Sequence, residues 1–245
     1  PGFRNFDSSK TLQQNVLDFG IDFNLVIWYK PLNENYNFDK LATKTTFPFK
    51  TCLRNNEMWD VPWTMSEIDD SHTDLIVCHH HNDYEKYKQI YQYTSKTFVY
   101  VPHFANDDIF KPLRPLDIEN LVNKDIDILI SGVTKKTHYP FKNRLLNILT
   151  SDKNAEKLKG INIHTFAHPG YKDLNNFNSP NQIAYNNIIN RSKLCVACTS
   201  GYKYRLGKYV EIPMAGGVIV GDLPESDNED DFSKFVIEVN MEMTD

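Results

Sequence analysis

Asp125-Ile-Asp-Ile-Leu-Ile-Ser131, closed by Gly132, is the stretch on which the fold turns. Its apolar residues are nearly continuous, the pattern of a strand buried on both faces of a parallel sheet. Downstream, residues 140–158 read as a helix with Leu145, Leu146, Ile148 and Leu149 as its core residues. A strand follows at 161–167, a short helix at 183–190 and a strand at 194–199. A helix at 206–215 is interrupted near Pro213, residues 218–220 form a buried strand, and 232–239 a last one. Between them, 225–231 is an acidic, solvated loop. Upstream lies a Pro-rich hinge, Lys111-Pro-Leu-Arg-Pro115. Before it come a short helix at 10–18, an apolar strand at 23–29 and a weaker strand at 47–53. A strong strand at 74–78 and a helix at 84–93 follow, and a strand at 97–101 ends at Pro102. Strands alternating with helices imply parallel α/β sheets. The expected domains are therefore two Rossmann-like halves, 1–115 and 116–245. Open α/β sheets bind ligands at the carboxyl ends of their strands, so two facing halves would place the chemistry in a cleft between them.

Composition narrows the function classes. At 245 residues and 28.5 kDa the chain makes one large or two small domains. With 40% apolar and 24% charged residues it reads as globular. The balance of 27 basic against 32 acidic residues argues against a nucleic-acid partner, while leaving room for a local phosphate pocket. No apolar run approaches the roughly eighteen residues of a membrane span, and Pro1-Gly-Phe-Arg-Asn5 lacks the apolar core of a signal peptide. A cytoplasmic location is expected. Cys52, Cys78, Cys195 and Cys198 lie in strand-like stretches and read as reduced core residues. Cys195-Val-Ala-Cys198 has the spacing of a zinc or redox pair, but no second pair accompanies it, so no metal is expected there.

The dinucleotide and P-loop glycine patterns and the Gly-x-Ser-x-Gly elbow are absent. The richest segment is Thr199-Ser-Gly-Tyr-Lys-Tyr-Arg-Leu-Gly-Lys-Tyr-Val-Glu-Ile-Pro-Met-Ala-Gly-Gly-Val-Ile-Val-Gly221. A strand ends, a loop carries Lys203, Arg205 and Lys208, and a helix starts near Leu206–Gly207. Free N–H groups and three cations there would seat a diphosphate. Glu211, one turn in, is placed to accept hydrogen bonds from ribose hydroxyls. The plain alternative is a solvated basic loop before a core helix. His79-His80-His81 ends a strand, and alternation puts His79 and His81 on one face. Surface exposure or a cleft-lining role suits them better than a metal. Asn55, Asn56 and Glu57 follow a weak strand as candidates for sugar or acceptor contacts, with an ordinary polar loop as the alternative.

Several segments together resemble a family. Glu211-Ile-Pro-Met-Ala-Gly216-Gly217-Val-Ile-Val is similar to the Glu-x-x-x-x-Gly-x-x-hydrophobic segment of GT-B glycosyltransferases, especially family 4 and the spore-coat CgeB-like group. Val101-Pro-His-Phe-Ala-Asn-Asp-Asp-Ile-Phe-Lys-Pro112 resembles the segment that closes their N-terminal domain. Asp125–Gly132 with Tyr139-Pro-Phe-Lys142-Asn-Arg144 resembles the strand and loop that open their C-terminal domain. Ser192-Lys-Leu-Cys-Val-Ala resembles the strand before the donor loop. The likeness runs from about residue 74 to 222. Two departures stand out. Lys203 occupies the place of a second glutamate, and the first strand with its glycine loop is hard to find, which implies a reduced N-terminal domain. The chain's shortness resembles compact virus-encoded members, including algal-virus enzymes that use GDP-mannose.

The resemblance implies a GT-B hexosyltransferase, retaining and metal-independent, using a nucleotide-diphospho-sugar as substrate and no cofactor. It implies that Lys142, Arg144, Arg205 and Lys208, with Lys203 and Tyr209 nearby, neutralise the departing diphosphate. Glu211 would hold the ribose, and His168, Pro169, Gly170 and Tyr171 would line the base pocket. Asn55, Glu57, His79, His81 and His103 are the cleft candidates for catalysis. The acceptor is left open between glycan, protein and lipid, and a homodimer is one assembly the sequence allows. The alternatives are a non-catalytic nucleotide-sugar binder, favoured by Lys203, and a metal-dependent GT-A enzyme. The latter is suggested by Asp125-Ile-Asp127, which resembles the GT-A Asp-x-Asp but begins a strand where a metal site follows one.

Overall fold

The computed structural model describes residues 7, 10, 14, 18, 25–29, 50–55, 57–70, 73–167, 180–224 and 232–239. Most of the helix read over 10–18, Asn56, residues 168–171 and the acidic loop 225–231 lie outside the described residues. The chain divides into two units, Pro1–Pro102 and His103–Asp245.

In the first unit, four strands follow in spatial order, β1 (Leu25–Tyr29), β2 (Lys50–Asn55), β3 (Leu75–Cys78) and β4 (Thr97–Tyr100). All pair in parallel, with Cys52 opposite Leu75 and Cys78 opposite Tyr100. Parallel neighbours need crossovers, here the helices α1 (Val61–Asp70) and α2 (His81–Ile90). Leu53, Met58, Ile68, Ile76, Cys78, Tyr87 and Tyr91 form the core. Helix α1 escapes the sequence pattern because Thr64 and Glu67 are buried beside Ile68, so polar residues interrupt the apolar spacing. Asp60 starts it by accepting the Trp63 N–H at 3.1 Å. Strand β3 stops at Cys78 and His81 opens α2, so His79 and His81 do not share a strand face.

The second unit holds β5 (Ile126–Ser131), β6 (Ile163–Phe166), β7 (Ser192–Ala197), β8 (Val218–Gly221) and β9 (Val236–Glu238). They are parallel throughout, in the order β6-β5-β7-β8-β9. Its helices are α3 (Ile118–Val122), α4 (Pro140–Leu149), α5 (Pro180–Asn190) and α6 (Lys208–Met214). Leu129, Cys195, Ala197 and Ile219 pack with Ile188 and Ile189 of α5 and Tyr209 and Ile212 of α6. On the other face, Ile130, Val196 and Cys198 pack with Phe141, Leu145 and Leu146 of α4. The chain therefore leaves β5 toward one face and β7 toward the other. The order reverses between these two strands, and such a switch point opens a crevice at their carboxyl ends.

Three sequence expectations change. Helix α4 ends at Leu149, well short of 158, where the Thr150 hydroxyl donates to Leu146 O and Ser151 caps a short turn, Asp152–Asn154. The last strand is confined to β9, and Phe232 instead joins the core beside Tyr209. Residues 103–115, read as part of the first half, belong to the second. Ile109 and Phe110 are buried in its core, and the N–H groups of Lys111 and Leu113 donate to the side chains of Asn186 and Asn190 at 3.2 and 2.8 Å. The four cysteines are free and buried, as the core reading expects. Cys195 and Cys198 sit in the clusters on opposite faces of the sheet, so they cannot converge on one ion.

Candidate functional site

Ser131 ends β5, and Gly132 follows with φ of 82°, a left-handed turn that favours glycine. Lys142, in the first turn of α4, is 2% exposed. Its Nζ donates to Ser131 O at 3.0 Å and Val133 O at 3.1 Å and lies 4.7 Å from the Tyr139 ring centre. Lys208 approaches from α6. Its Nζ donates to the Tyr185 hydroxyl at 3.0 Å, and that hydroxyl is 3.1 Å from Ser131 Oγ. A Cβ on Gly132 would lie 3.5 Å from Lys208 Nζ and 3.8 Å from Lys142 Nζ. Two ammonium groups, one from each side of the sheet, thus meet over a bare stretch of backbone at the switch point.

The charges at this point are unbalanced. Among the described residues no carboxylate pairs with Lys142, and burial pulls its ammonium down to about 8. Burial also lowers Lys208, against the pull of Glu211. Glu211 is half-buried beside Gly207, and burial pushes its carboxyl above the ordinary range while Lys208 opposes the shift. Tyr185, 8% exposed, is held protonated chiefly by burial. A buried cation with no carboxylate beside it among the described residues, as Lys142 is, makes a candidate seat for an anion.

The other sequence candidates disperse. Arg205 points away from this seat, its Nη2 donating to His103 O at 2.9 Å and its guanidinium lying 5.4 Å from the Phe232 ring centre. Lys203 is exposed, in a turn with φ of 59°. Tyr209 is a core residue whose hydroxyl donates to Asp222 O. Arg144 is half-buried on α4. Residues His168, Gly170 and Tyr171 lie outside the described residues. The start of α6 offers fewer free N–H groups than the sequence suggests, because those of Tyr209, Val210 and Glu211 already bond to Leu206 and Gly207 carbonyls. The cations that converge on Gly132 are therefore the side chains of Lys142 and Lys208.

In the first unit, His79 and Asn55 are engaged by neighbouring groups. His79 is buried, not surface-exposed, and its Nε2 lies 2.7 Å from Arg54 Nε. Arginine only donates, so Nε2 accepts and Nδ1 carries the proton, donated to Val101 O at 2.7 Å. Burial holds this imidazole below its ordinary range, with the Arg54 guanidinium adding to the effect. His80 is also buried. Asn55 is buried and donates to Glu67 at 3.2 Å. His81 is partly exposed, edge-on to Tyr100 at 5.4 Å, and Glu57 is half-buried. Asp125 and Asp127 flank the start of β5, Asp125 in an exposed pair with Arg191 and Asp127 in a partly buried pair with Lys193, the polar strand-start role. Sequence reasoning missed Ser131 and Tyr185. Tyr185 reads as one more apolar residue of a core helix, and only the strand order brings it to Lys208.

No protein-family model matches the chain, and no curated protein sequence matches it. Among solved structures, the crystal structure of a glycosyltransferase from Rickettsia africae ESF-5 is similar, with a TM-score of 0.53 and 13% identity over 94% of this chain. The match covers 65% of that protein, so this chain spans under two thirds of its length. At 13% identity the likeness is one of architecture: the two parallel α/β sheets form a Rossmann-like fold shared with that glycosyltransferase.

Proposed function

We propose that the protein is a glycosyltransferase that moves a hexose from a nucleotide-diphospho-sugar to an acceptor, with the donor held by the second unit. The carrying observation is the pair of ammonium groups over Gly132, of which Lys142 is buried without a carboxylate beside it. A diphosphate supplies the missing negative charge. The charge that builds on it as the sugar leaves meets cations already in place. The fold shared with a glycosyltransferase supports the same reading. Glu211 then takes the ribose hydroxyls. Its carboxylate makes no hydrogen bond with a described residue and is half-buried beside the seat.

The finer assignments rest on the family resemblance. They are a GT-B enzyme of family 4 or the CgeB-like group, mannose from GDP-mannose with UDP-glucose as the alternative donor, retention of configuration, no divalent metal, and a cytoplasmic site of action. The acceptor side is assigned to the first unit. Titration of GDP and UDP with and without EDTA tests the core of this reading. Binding should persist in the chelator, and the matching nucleotide sugar should raise the melting temperature. Loss of all binding in EDTA overturns the metal-free mechanism, and no binding under either condition overturns the donor site. Glu211→Gln should weaken nucleotide-sugar binding by about tenfold or more at unchanged melting temperature. Lys203, exposed where the family carries a glutamate, favours a second reading as a non-catalytic binder. Donor hydrolysis and transfer assays separate the two.

A further inference from the structure

We infer that Tyr185 is a positioning residue: it fixes where Lys208 stands and so sets the site's preference for two linked phosphates over one. The inference rests on the nucleotide-diphosphate reading above. Lysine can only donate, so the Tyr185 hydroxyl accepts from Lys208 Nζ at 3.0 Å, and it shares a second hydrogen bond with Ser131 Oγ at 3.1 Å. The same ammonium lies 4.3 Å from the Tyr185 ring centre. One side chain therefore meets the cation through both its hydroxyl and its ring, which leaves a flexible lysine little freedom. The tyrosine is itself immobilised. Its ring is edge-on to Phe110 at 6.1 Å and stacked with Phe166 at 5.8 Å.

Lys142 is fixed separately, from the other face of the sheet, by the carbonyls of Ser131 and Val133. The gap between the two ammonium groups is thus set by two anchors, the Ser131 and Val133 carbonyls for Lys142 and the Tyr185 hydroxyl for Lys208, with Gly132 between them. A diphosphate carries charge on two phosphorus centres joined by one bridging oxygen and can meet both cations. A single phosphate can be centred on only one. Releasing Lys208 from its anchor should therefore cost the diphosphate far more than the monophosphate.

The experiment compares dissociation constants for GDP and GMP, and for UDP and UMP, by calorimetry. The proteins are the full chain, Tyr185→Phe, Lys208→Ala and the double variant. Tyr185→Phe keeps the packed ring. It should lower diphosphate affinity about tenfold and monophosphate affinity much less, so the preference shrinks while the melting temperature holds. Lys208→Ala should do the same more strongly, and in its background Tyr185→Phe should have no further effect. Ser131→Ala, which removes the hydroxyl's other partner, should shift the ratio the same way by a smaller factor. An unchanged diphosphate-to-monophosphate ratio in Tyr185→Phe, or additive losses in the double variant, overturns the inference while leaving the donor site standing. A wild-type protein that binds neither nucleotide overturns the donor site and this inference with it.

Discussion

At the carboxyl ends of β2 and β3, His79 has both ring nitrogens engaged, by Arg54 and Val101, and Asn55 is spent on Glu67. At the carboxyl end of β5, the ammonium groups of Lys142 and Lys208 both lie near Gly132, and Lys142 meets two carbonyls and the Tyr139 ring with no carboxylate beside it among the described residues. Both regions bury ionisable groups in α/β sheets of the same kind. In the first, these groups complete one another, which is how a fold holds itself together. In the second, a cation remains short of negative charge, which is how a fold holds a place for something else.

The contrast breaks most sharply on a pair of substitutions. Lys142→Met should weaken nucleotide-diphosphate binding by about a hundredfold while leaving the melting temperature little changed. His79→Leu should leave that affinity intact and lower stability by about 2 kcal/mol, because Arg54 and the Val101 carbonyl each lose a partner. Calorimetric titration and thermal unfolding of both variants decide the matter, and exchanged outcomes would reverse the assignment of the two regions.

A smaller effect, and a sharper one, is the response to pH. Lys142 titrates near 8 in the folded chain and a lysine near about 10.4 in the unfolded one. Between these values the unfolded chain binds more protons at this lysine, so Lys142's own contribution to the stability of the ligand-free protein should rise from about pH 8 toward about 10. Lys142→Met should flatten that rise. Diphosphate affinity should move the opposite way, falling by up to about tenfold per pH unit above about 8, because the anion needs the ammonium. Denaturant melts and titrations across pH 7–10 measure both. An affinity flat over that range would exclude Lys142 from the seat.

The smallest effect is expected at Asp125 and Asp127, whose pairs with Arg191 and Lys193 are exposed or only partly buried. Asp127→Asn should leave both melting temperature and nucleotide affinity nearly unchanged, with or without added manganese. A metal-dependent loss of binding would show that the Asp-x-Asp pattern carries chemistry after all.

The alternating architecture was legible because strands buried on both faces, such as β5 and β3, read as continuous apolar runs whatever their neighbours. Helix α1 was not, since Thr64 and Glu67 stand on its inward side. At the site, Lys208 was visible as a cation beside a helix start that follows a strand, and Lys142 through the family resemblance. Lys203 and Arg205 carry the same charge and lie closer to Lys208 in sequence, yet one is exposed and the other is committed to His103 and Phe232. Nearness along the chain says little about convergence in a parallel sheet. Strand order decides which loops meet, and it depends on pairing between segments far apart in sequence. Tyr185 and Ser131 enter the site only through that order.

Ile109, Phe110 and the Asn186–Asn190 staples also say where the chain can be cut. A fragment begun at the prolines near residue 115 leaves behind two core side chains and the groups that Asn186 and Asn190 hold. It opens an apolar socket against α5, beside the tyrosine that meets Lys208. A fragment begun at His103 carries its own plug. Dissection of the protein for expression, or its splitting into complementing halves, should therefore follow the junction at residues 102–103, and a shorter piece is expected to aggregate.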